Sequence, residues 1–384
     1  MHGHTTTKKT FKSLPWGAPA PHFNAPTPTR NRFAFSSLGG RFIALAFVEN
    51  PADPATARLL DNLIARDIPV NDAQYCLFAV VPDAAAADNP RLRRAFIRDR
   101  VFIDTDRAIA RAYGAHDPAS GEVFEHWLII DPDMRIMAAG RLNVLHRIAD
   151  ELQATPPAET HAGCTRPAPI LVMPRILEPD FCDHLVQLYR AGQPRQSGTM
   201  VERGGRTVGE VDPGFKRRYD YHIDDPRVRA AFNWRLRRRL FPQIEKAFNF
   251  RPTHIERYIV ACYRSQDTGF FKPHRDNTTK GTAHRRFAVT IHLNDDFEGG
   301  GLCFPEFGQQ IYNPPKGGAV VFGCSLLHEA RPVIRGERFC TLPFLYDDTG
   351  AAIRRENAAF LGEEPGGAYR PPLGAGPERA ERVD

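Results

Sequence analysis

The sequence predicts two domains, an N-terminal α/β domain followed by a C-terminal jelly roll with helical buttresses. Three observations lead to this prediction. The chain of 384 residues is longer than an average single domain. Residues 153–169 are rich in proline, alanine and threonine and show no apolar period, which is typical of an interdomain linker. The segments before and after this linker differ in the pattern of their apolar residues.

The linker divides the chain into a domain at residues 15–152 and a domain at residues 170–361. Residues 1–14 precede the first domain, and we expect them to form a flexible N-terminus. The segment 362–384 is rich in glycine, proline, glutamate and arginine, and this composition predicts a disordered tail.

Short apolar runs alternate with helical stretches, such as residues 55–66, in the first domain. This alternation is typical of an α/β domain, in which helices connect the strands of a buried sheet. The predicted strands cover residues 42–48, 76–81, 101–103 and 127–130.

Two helical regions open the second domain, at residues 178–190 and 225–248. Short strands then dominate, separated by glycine- and proline-rich turns at residues 298–301 and 314–318. Helices followed by many short strands favour a β-sandwich or jelly roll with the helices packed outside. The predicted strands cover residues 255–263, 287–293, 319–322 and 339–346.

Charge and cysteine content narrow the function classes. The formal net charge is +6, and part of the excess lies in an arginine cluster of the second helical region. We interpret that cluster as a solvated face of the helix rather than as a nucleic-acid-binding surface. The seven cysteines form no CxxC pair, so we expect them to be reduced thiols in the cores of the domains. We expect a cytoplasmic protein, because the sequence shows neither a leader nor an apolar run of bilayer length.

His274-Arg275-Asp276 is the most informative short pattern. On a strand, residues i and i+2 project to the same face, so His274 and Asp276 can bind one ion. His328 lies 52 residues beyond Asp276, which is enough chain for a jelly roll to bring it back to the pair. Two imidazoles and one carboxylate leave one side of a ferrous ion open. A lone His-x-Asp is more often a surface turn or a cap, so the prediction depends on the whole set.

Arg338 follows His328 by ten positions, at the start of a predicted strand. A guanidinium pairs with a carboxylate through two charge-assisted hydrogen bonds. This chemistry suits the distal carboxylate of 2-oxoglutarate while the keto-acid end of that molecule binds iron. The spacing therefore predicts an iron site with a dicarboxylate co-substrate.

Further motifs accompany these residues: Tyr263, Lys-Pro-His-Arg-Asp at 272–276, Leu-Asn-Asp at 293–295, Gly299-Gly300, Phe-Pro-Glu-Phe-Gly at 304–308, and Pro332-Val333, Gly336 and Arg338 after His328. With them, residues 170–347 resemble the prolyl 4-hydroxylase-like branch of the Fe(II)/2-oxoglutarate-dependent oxygenases. The resemblance implies a double-stranded β-helix with His274, Asp276 and His328 on iron and Arg338 on 2-oxoglutarate. It also implies hydroxylation of a C–H bond of a peptide, protein residue or small metabolite. Succinate and CO2 are the implied co-products, O2 is consumed, and ascorbate is a candidate reductant.

Two positions depart from the family pattern. Collagen-type members carry lysine where this chain has Arg338, and a tyrosine is common where His292 stands before Leu-Asn. By the same resemblance, the Tyr263 hydroxyl is a candidate partner of the co-substrate carboxylate. The alternative is an aromatic core residue. For His292 the favoured interpretation is a hydrogen-bonded core histidine.

Residues 198–222 combine glycines, basic residues and aromatics, a composition suited to a mobile flap over an active site. A second basic group follows the ligand pair: Lys280, His284, Arg285 and Arg286. Together the two groups suggest an anionic or peptide substrate, although a solvated loop with packed tyrosines explains the first group equally. The candidate substrate residues are Lys216, Arg217, Arg218, Tyr219 and Tyr221.

The first domain carries Gly-Ala-Pro-Ala-Pro-His-Phe at 17–23, Leu-Gly-Gly-Arg at 38–41 and Ile-Ile-Asp at 129–131. With these motifs it resembles the thioredoxin-like fold of the peroxiredoxins. A working peroxiredoxin needs a cysteine at the helix N-terminus after the first strand, where the helix dipole lowers the thiol pKa. This chain has no cysteine at 50–56, Cys76 lies inside an apolar strand, and Glu125 stands near the place of the usual arginine. The domain is therefore expected to be a docking, binding or structural module.

The leading hypothesis is a 2-oxoglutarate-dependent non-haem iron dioxygenase. A nucleic-acid demethylase similar to AlkB is a second possibility, but that family carries two arginines six residues apart after the distal histidine. Arg331, Arg335 and Arg338 do not supply this spacing. A third possibility is a non-catalytic adaptor for a redox partner, against which the complete ligand set argues.

Overall fold

The computed structural model describes residues 14–68, 71–97 and 100–361. The predicted tail at 362–384 and the predicted flexible N-terminus, except for its last residue, lie outside the described residues. Among the described residues, no helix is long and apolar enough to cross a bilayer.

Contacts divide the chain into two compact units. One comprises the described residues up to Pro167 together with Pro305–Gly308. The other comprises Ala168–Phe304 and the described residues from Gln309 to Leu361.

The first unit has an α/β fold of the thioredoxin type. Its strands are β1 (Asn24–Thr27), β2 (Arg30–Ala34), β3 (Phe42–Phe47), β4 (Tyr75–Val81), β5 (Val101–Ile103), β6 (His126–Ile130) and β7 (Ile136–Arg141). Its helices are α1 (Pro54–Ile64), α2 (Ala84–Ala87), α3 (Pro90–Ala95), α4 (Ala108–Ala112) and α5 (Arg147–Gln153). The main sheet has the order β5-β4-β3-β6-β7. Strands β3, β4 and β5 are parallel, whereas β6 and β7 are antiparallel to their neighbours.

Strand β3 is buried along its whole length, which explains its uninterrupted apolar sequence. Phe42 and Ala44 belong to one core cluster, whereas Ile43 and Leu45 belong to another. Because alternate side chains of a strand point to opposite faces, the sheet has an apolar layer on both sides. The four strands predicted for this domain all form, with ends that differ by at most one residue.

The second unit is a jelly roll with helices packed against it. Its first strands are β8 (Leu171–Met173), β9 (Arg195–Gln196), β10 (Thr199–Arg203), β11 (Arg206–Glu210), β12 (Lys216–Arg217), β13 (Tyr219–His222), β14 (His254–Glu256), β15 (Ile259–Arg264) and β16 (Phe270–His274). They are followed by β17 (Phe287–His292), β18 (Glu298–Gly299), β19 (Leu302–Cys303), β20 (Ile311–Tyr312), β21 (Ala319–Gly323), β22 (His328–Ala330), β23 (Val333–Arg335), β24 (Glu337–Thr341) and β25 (Phe344–Tyr346). Its helices are α6 (Pro179–Ala191), α7 (Pro226–Arg235), α8 (Phe241–Phe248) and α9 (Asp348–Glu356).

Two sheets make up the jelly roll. The larger contains β14-β25-β17-β24-β15-β13-β9 in that order, with β21 paired to β17 and β8 paired to β21. The smaller contains β12-β16-β22-β19-β20. Ala261 and Tyr263 of β15 form a core cluster with Phe271 and Ala330 of the smaller sheet. Tyr263 therefore points into the space between the two sheets.

The opposite face of β15 packs against the helices. Its residue Val260 shares a core cluster with Leu185 of α6, Phe232 of α7 and Ile244 of α8. The helices therefore cover the outer face of the larger sheet, as the prediction of helical buttresses requires.

Three predicted elements are interrupted in the structure. The strand predicted at 255–263 is divided into β14 and β15 because Arg257 has a left-handed backbone with φ of 73°. The strand predicted at 339–346 is divided into β24 and β25 next to Pro343, which has no N–H for a sheet. The long helix contains a π-helical turn at Leu236–Leu240 just before Pro242.

Candidate metal centre

His274 and His328 lie opposite each other on neighbouring antiparallel strands, β16 and β22. The register pairs them directly after a β-bulge. Strand β16 ends at His274, so Asp276 lies in the turn that follows rather than on the strand as expected. The Asp276 backbone N–H donates to the Cys324 carbonyl oxygen at 2.9 Å, which ties this turn to the chain just before His328.

The three side chains converge on one point. The Asp276 carboxylate has one oxygen 3.6 Å from His274 Nε2 and the other 3.3 Å from His328 Nε2. One potential ligand atom from each residue lies within 4.8 Å of the other two. Within the described part of the chain, no second group of three histidine, cysteine, aspartate or glutamate side chains has this geometry.

Backbone carbonyls orient both imidazoles. His274 Nδ1 lies 2.7 Å from the Lys272 carbonyl oxygen, and His328 Nδ1 lies 3.0 Å from that of Leu326. A carbonyl oxygen only accepts, so each Nδ1 carries the proton and each Nε2 presents a lone pair to the common point. This second hydrogen bond is usual for histidines that bind metals.

Aromatic side chains pack against both histidines. Phe271 stacks on His274 with ring centroids 3.5 Å apart, and Phe322 lies 4.5 Å from the His328 ring. Burial, together with the nearby His328, holds the pKa of His274 well below its usual value. His274 is therefore neutral at physiological pH, as a metal ligand must be.

The donor set fits a ferrous ion. Two imidazole nitrogens and one carboxylate, with the remaining positions open, are typical of non-haem iron oxygenases. A cavity of about 60 Å³ adjoins the three side chains, and Tyr263 and Arg338 also line it.

Arg338 is the second notable feature of this cavity. It lies on β24 opposite Tyr263 of β15, with its guanidinium carbon 5.1 Å from the tyrosine ring centroid. Its exposed fraction is 1%. Among the described residues, no carboxylate forms an ion pair with Arg338. A buried guanidinium without a carboxylate partner is costly, so Arg338 is a candidate for binding an anion beside the three candidate metal ligands.

His292 is the neighbour that holds Arg338. Its Nε2 accepts hydrogen bonds from Arg338 Nη2 and Nε, at 3.2 and 3.3 Å. Burial and the guanidinium hold the pKa of His292 well below its usual value, so the ring stays neutral. The sequence interpretation of a hydrogen-bonded core histidine agrees with this geometry, but the sequence did not indicate Arg338 as its partner.

A larger cleft of about 970 Å³ leads to the same ligands. It reaches His274 and Asp276 and is lined on one side by Thr199 and Met200 of β10 and by Glu210 of β11. These two strands form the hairpin within the predicted flap at 198–222. The back of this hairpin is tied down, because Thr207 Oγ1 accepts a hydrogen bond from the Gly281 N–H at 2.9 Å.

The candidate substrate residues fall on two faces of one extended segment. Lys216 is buried and lines both the cleft and the small cavity, whereas Arg218 lines the small cavity only. Tyr221 lines the cleft. Arg217 and Tyr219 line neither of these cavities. Arg217 is held instead by the carbonyl oxygens of Pro213 and Asp267, and Tyr219 lies under Arg264.

A polar cluster that the sequence did not reveal surrounds Arg218. Its guanidinium bonds both Asp220 oxygens, at 2.7 and 2.6 Å, and Ser197 Oγ at 3.0 Å. The Asp220 pKa is lowered by Arg218 and Lys216 despite burial. Ser197 reaches this cluster because β9 pairs with β13, a contact across 23 residues that leaves no local signal.

Part of the second basic group is structural. Glu256 accepts hydrogen bonds from Arg285 at 2.6 Å and pairs with His284 at 2.7 Å. Arg285 and His284 hold the pKa of Glu256 well below its usual value although the carboxylate is buried. Arg285 lines the cleft, but its charge is balanced by this pair. The Lys280 ammonium lies 3.8 Å from the Phe360 ring centroid.

The first unit presents no activated thiol at the position that a peroxiredoxin uses. Asp53 caps α1 by accepting from the N–H groups of Ala55 and Thr56. Cys76 is buried within β4, and burial raises its thiol pKa to about 12. Glu125 accepts a hydrogen bond from the Glu49 N–H at 2.7 Å.

Comparison with known proteins identifies relatives of the second unit. The sequence profile of the 2OG-Fe(II) oxygenase superfamily matches residues 258–346. A PKHD-type hydroxylase of Maricaulis maris is 34% identical over 173 residues, which are 44% of this chain and 74% of the relative.

Solved structures resemble each part of the chain. A prolyl hydroxylase of Trichoplax adhaerens in complex with a hypoxia inducible factor peptide fragment is 18% identical, with a TM-score of 0.39. That match covers 48% of this chain and 86% of the hydroxylase chain. A mutant of PrxQ from Xylella fastidiosa is 14% identical, with a TM-score of 0.32. This second match covers 37% of this chain and 98% of the PrxQ chain.

Proposed function

The chain belongs to the 2OG-Fe(II) oxygenase superfamily, and from that premise we propose that it hydroxylates a C–H bond of a peptide or protein residue. Succinate and CO2 are the co-products in this proposal. A small metabolite is the alternative substrate. The enzyme class is that of a 2-oxoglutarate-dependent hydroxylase, and its cofactors are Fe(II), 2-oxoglutarate and O2.

One observation supports the proposal most strongly. The ligand atoms of His274, Asp276 and His328 lie within 4.8 Å of one another, and Arg338 lines the cavity beside them without an ion-pair partner among the described residues. An iron site explains the first arrangement, and a dicarboxylate co-substrate explains the second.

Each residue has a definite task in this scheme. His274, Asp276 and His328 are the proposed iron ligands, and Arg338 binds the distal carboxylate of 2-oxoglutarate. With both bound, iron would supply the oxidising power by which O2, 2-oxoglutarate and the substrate give hydroxylated substrate, succinate and CO2, one oxygen atom of O2 going to the substrate and the other to succinate. Tyr263 lines the same cavity as Arg338, which makes it a candidate second partner of the co-substrate. Its hydroxyl oxygen accepts a hydrogen bond from Arg218 Nη1 at 3.5 Å.

The substrate approaches through the larger cleft. Its volume of about 970 Å³ is at the upper end of ordinary small-molecule pockets, which favours a peptide segment over a small metabolite. Lys216 and Tyr221 line this cleft and are the proposed substrate contacts. Arg218 is not proposed to contact the substrate directly. We propose that it acts through Ser197 and Asp220, which it holds by hydrogen bonds.

Residues 15–152, which lie within the first unit, are proposed to form a docking or structural domain, joined by the linker 153–169 to the oxygenase domain at 170–361. Its peroxiredoxin-like fold without an activated thiol supports this role. We also propose a cytoplasmic location, because the seven cysteines are free and a reducing compartment keeps iron ferrous.

Anaerobic reconstitution with Fe(II) tests the proposal. The full-length protein is expected to bind one Fe(II), measured by calorimetry, and to release succinate from 2-oxoglutarate when O2 is admitted in the presence of host extract. Substrates in the extract are expected to gain 16 mass units. The variant His274→Ala is expected to lose both iron binding and succinate release.

His184→Ala is the matched control, because His184 is exposed on α6 and lies outside the site. It should behave as the wild type. Equal iron binding and equal succinate release by wild type and His274→Ala would overturn the proposed function.

A further inference from the structure

Lys216 is a buried lysine beside the proposed iron site. Only 4% of its surface is exposed, and its register partner on β16 is Phe271. The ammonium lies 4.7 Å from the Phe271 ring centroid, and Phe271 in turn stacks on His274. Lys216 lines both the cleft and the small cavity, so any group that meets its ammonium lies close to the reacting centre.

The hydrogen bonds of Lys216 leave one donor unused. Its Nζ donates to Ser197 Oγ and to the Gly198 carbonyl oxygen, both at 2.7 Å. An ammonium carries three N–H donors. Among the described residues, no acceptor takes the third.

The charge of Lys216 is also not balanced within the described part of the chain. Asp220, whose charge acts on Lys216, is held by Arg218 through two hydrogen bonds, and among the described residues no carboxylate lies within ion-pair distance of Lys216. A buried ammonium without a counter-ion is strongly unfavourable. Burial and Arg218 accordingly hold the pKa of Lys216 well below its usual value. An anionic group entering the cleft would stabilise the protonated lysine and would supply the missing acceptor.

The co-substrate does not supply this group. In the proposed function the two carboxylates of 2-oxoglutarate are bound by iron and by Arg338. The charges of iron, Asp276, 2-oxoglutarate and Arg338 then balance one another. The charge of Lys216 remains for the substrate.

We propose that Lys216 selects substrates that carry a carboxylate next to the carbon to be hydroxylated. This inference rests on the proposed function and names the substrate class of the same site. The carboxylate comes from an acidic side chain, from the C-terminus of a peptide or from a free organic acid. Lys216 is a specificity-determining residue in this scheme, since it binds the substrate and takes no part in the oxidation.

A panel of N-acetylated tripeptides, with the central residue varied over all amino acids, tests the proposal. Each peptide is supplied as the free acid and as the amide, and the Asp and Glu members are compared with Asn and Gln. Free amino acids form a further arm. Succinate release and the gain of 16 mass units are measured with the full-length enzyme, Fe(II) and 2-oxoglutarate.

We expect at least one carboxylate source to be preferred over its neutral partner about tenfold or more in kcat/KM, as for a buried charge-assisted pair. Lys216→Met is expected to abolish that preference by raising KM for the acid, and Lys216→Arg is expected to restore part of it. Lys280→Met, which removes an exposed lysine outside the cleft, should keep the wild-type preference.

Equal use of acids and neutral partners by the wild type would overturn the inference. So would loss of 2-oxoglutarate binding in Lys216→Met, measured anaerobically, since Lys216 would then act on the co-substrate. A wild type that binds Fe(II) and 2-oxoglutarate but uses no probe also overturns it and leaves the proposed function standing. A wild type that binds neither would instead refute the proposed function.

Discussion

His292 Nε2 lies 3.2 Å from Arg338 Nη2 and 3.3 Å from Arg338 Nε, and both residues are buried. A neutral imidazole fixes the guanidinium without cancelling its charge. A carboxylate in the same place would hold Arg338 as firmly but would repel the anion that the cavity is proposed to bind. The pair therefore combines a fixed orientation with a positive charge that remains available.

The first prediction concerns this pair. His292→Leu is expected to raise KM for 2-oxoglutarate, because Arg338 loses its acceptor at a cost of about 1 to 3 kcal/mol. His292→Gln supplies an amide oxygen as acceptor and is expected to recover part of the affinity. The measurement is succinate release as a function of 2-oxoglutarate concentration. A KM for His292→Leu equal to that of the wild type would show that His292 does not position Arg338.

The second prediction concerns acid stability. Because the pKa of His292 is held well below the usual value near 6.5 by burial and by Arg338, the unfolded chain binds a proton here that the folded chain refuses. The protonation of His292 is therefore expected to leave the free energy of unfolding unchanged above pH 6.5. Below pH 6.5 it is expected to lower the free energy of unfolding as the pH falls. The loss from this residue is at most about 1.4 kcal/mol per pH unit.

Urea denaturation at pH 7.5 and pH 5.5 measures this loss. His292→Gln does not titrate and is expected to show a smaller decrease in the free energy of unfolding than the wild type between these two pH values. Equal decreases in the two proteins would assign the acid sensitivity to other groups, such as the buried His274.

The third prediction uses Gly300, which has a left-handed φ of 66°. A Cβ at this position would lie 2.9 Å from Arg338 Cδ and 2.9 Å from Val333 Cγ2. Gly300→Ala is therefore expected to displace Arg338 and to raise KM for 2-oxoglutarate. It is also expected to destabilise the fold by about 1 to 2 kcal/mol or more, since alanine is strained in this conformation.

Gly121→Ala separates the two effects. Gly121 has a φ of 70°, but no atom lies within 4 Å of a Cβ built there. This variant is expected to lose stability through strain alone and to keep the wild-type KM. If Gly300→Ala also kept the wild-type KM, the position of Arg338 would not depend on Gly300.

The convergence of the three candidate ligands could be predicted from the sequence because their spacing follows from the strand order of a jelly roll. His274 and His328 are 54 positions apart in the chain yet directly opposite in the register of β16 and β22. The interruption at Pro343 was also readable, since proline cannot donate to a sheet. The left-handed backbone at Arg257 was not, because arginine carries no preference for it.

Long-range polar contacts were the least predictable part. Ser197, Lys216, Arg218 and Asp220 form one cluster only because β9 lies beside β13. Strand alternation then separates Lys216 and Arg218 from Arg217 and Tyr219. A sequence interpretation based on composition grouped these four with Tyr221 as candidate substrate residues. Alternation does not account for Tyr221, which has the same parity as Tyr219 on β13 yet lines the cleft.

The fourth prediction concerns the thiols of the whole chain. Cys164 is exposed, and the other six cysteines are buried. Burial raises the pKa of the thiols of Cys76, Cys182 and Cys262 to about 12, so almost none of each is thiolate at pH 8. Iodoacetamide is therefore expected to modify Cys164 alone in the native protein, as measured by mass spectrometry.

The same reasoning predicts that the first unit does not reduce peroxides. A peroxidatic cysteine must be accessible and largely deprotonated, and Cys76 is neither. Hydrogen peroxide consumption by the full-length protein, supplied with a thiol reductant but without iron, is expected to match that of Cys76→Ala. Cys164→Ser removes the exposed thiol and controls for its slow direct oxidation. A rate that falls in Cys76→Ala but not in Cys164→Ser would show that β4 opens to expose a working thiol, and would contradict the proposed docking or structural role of this domain.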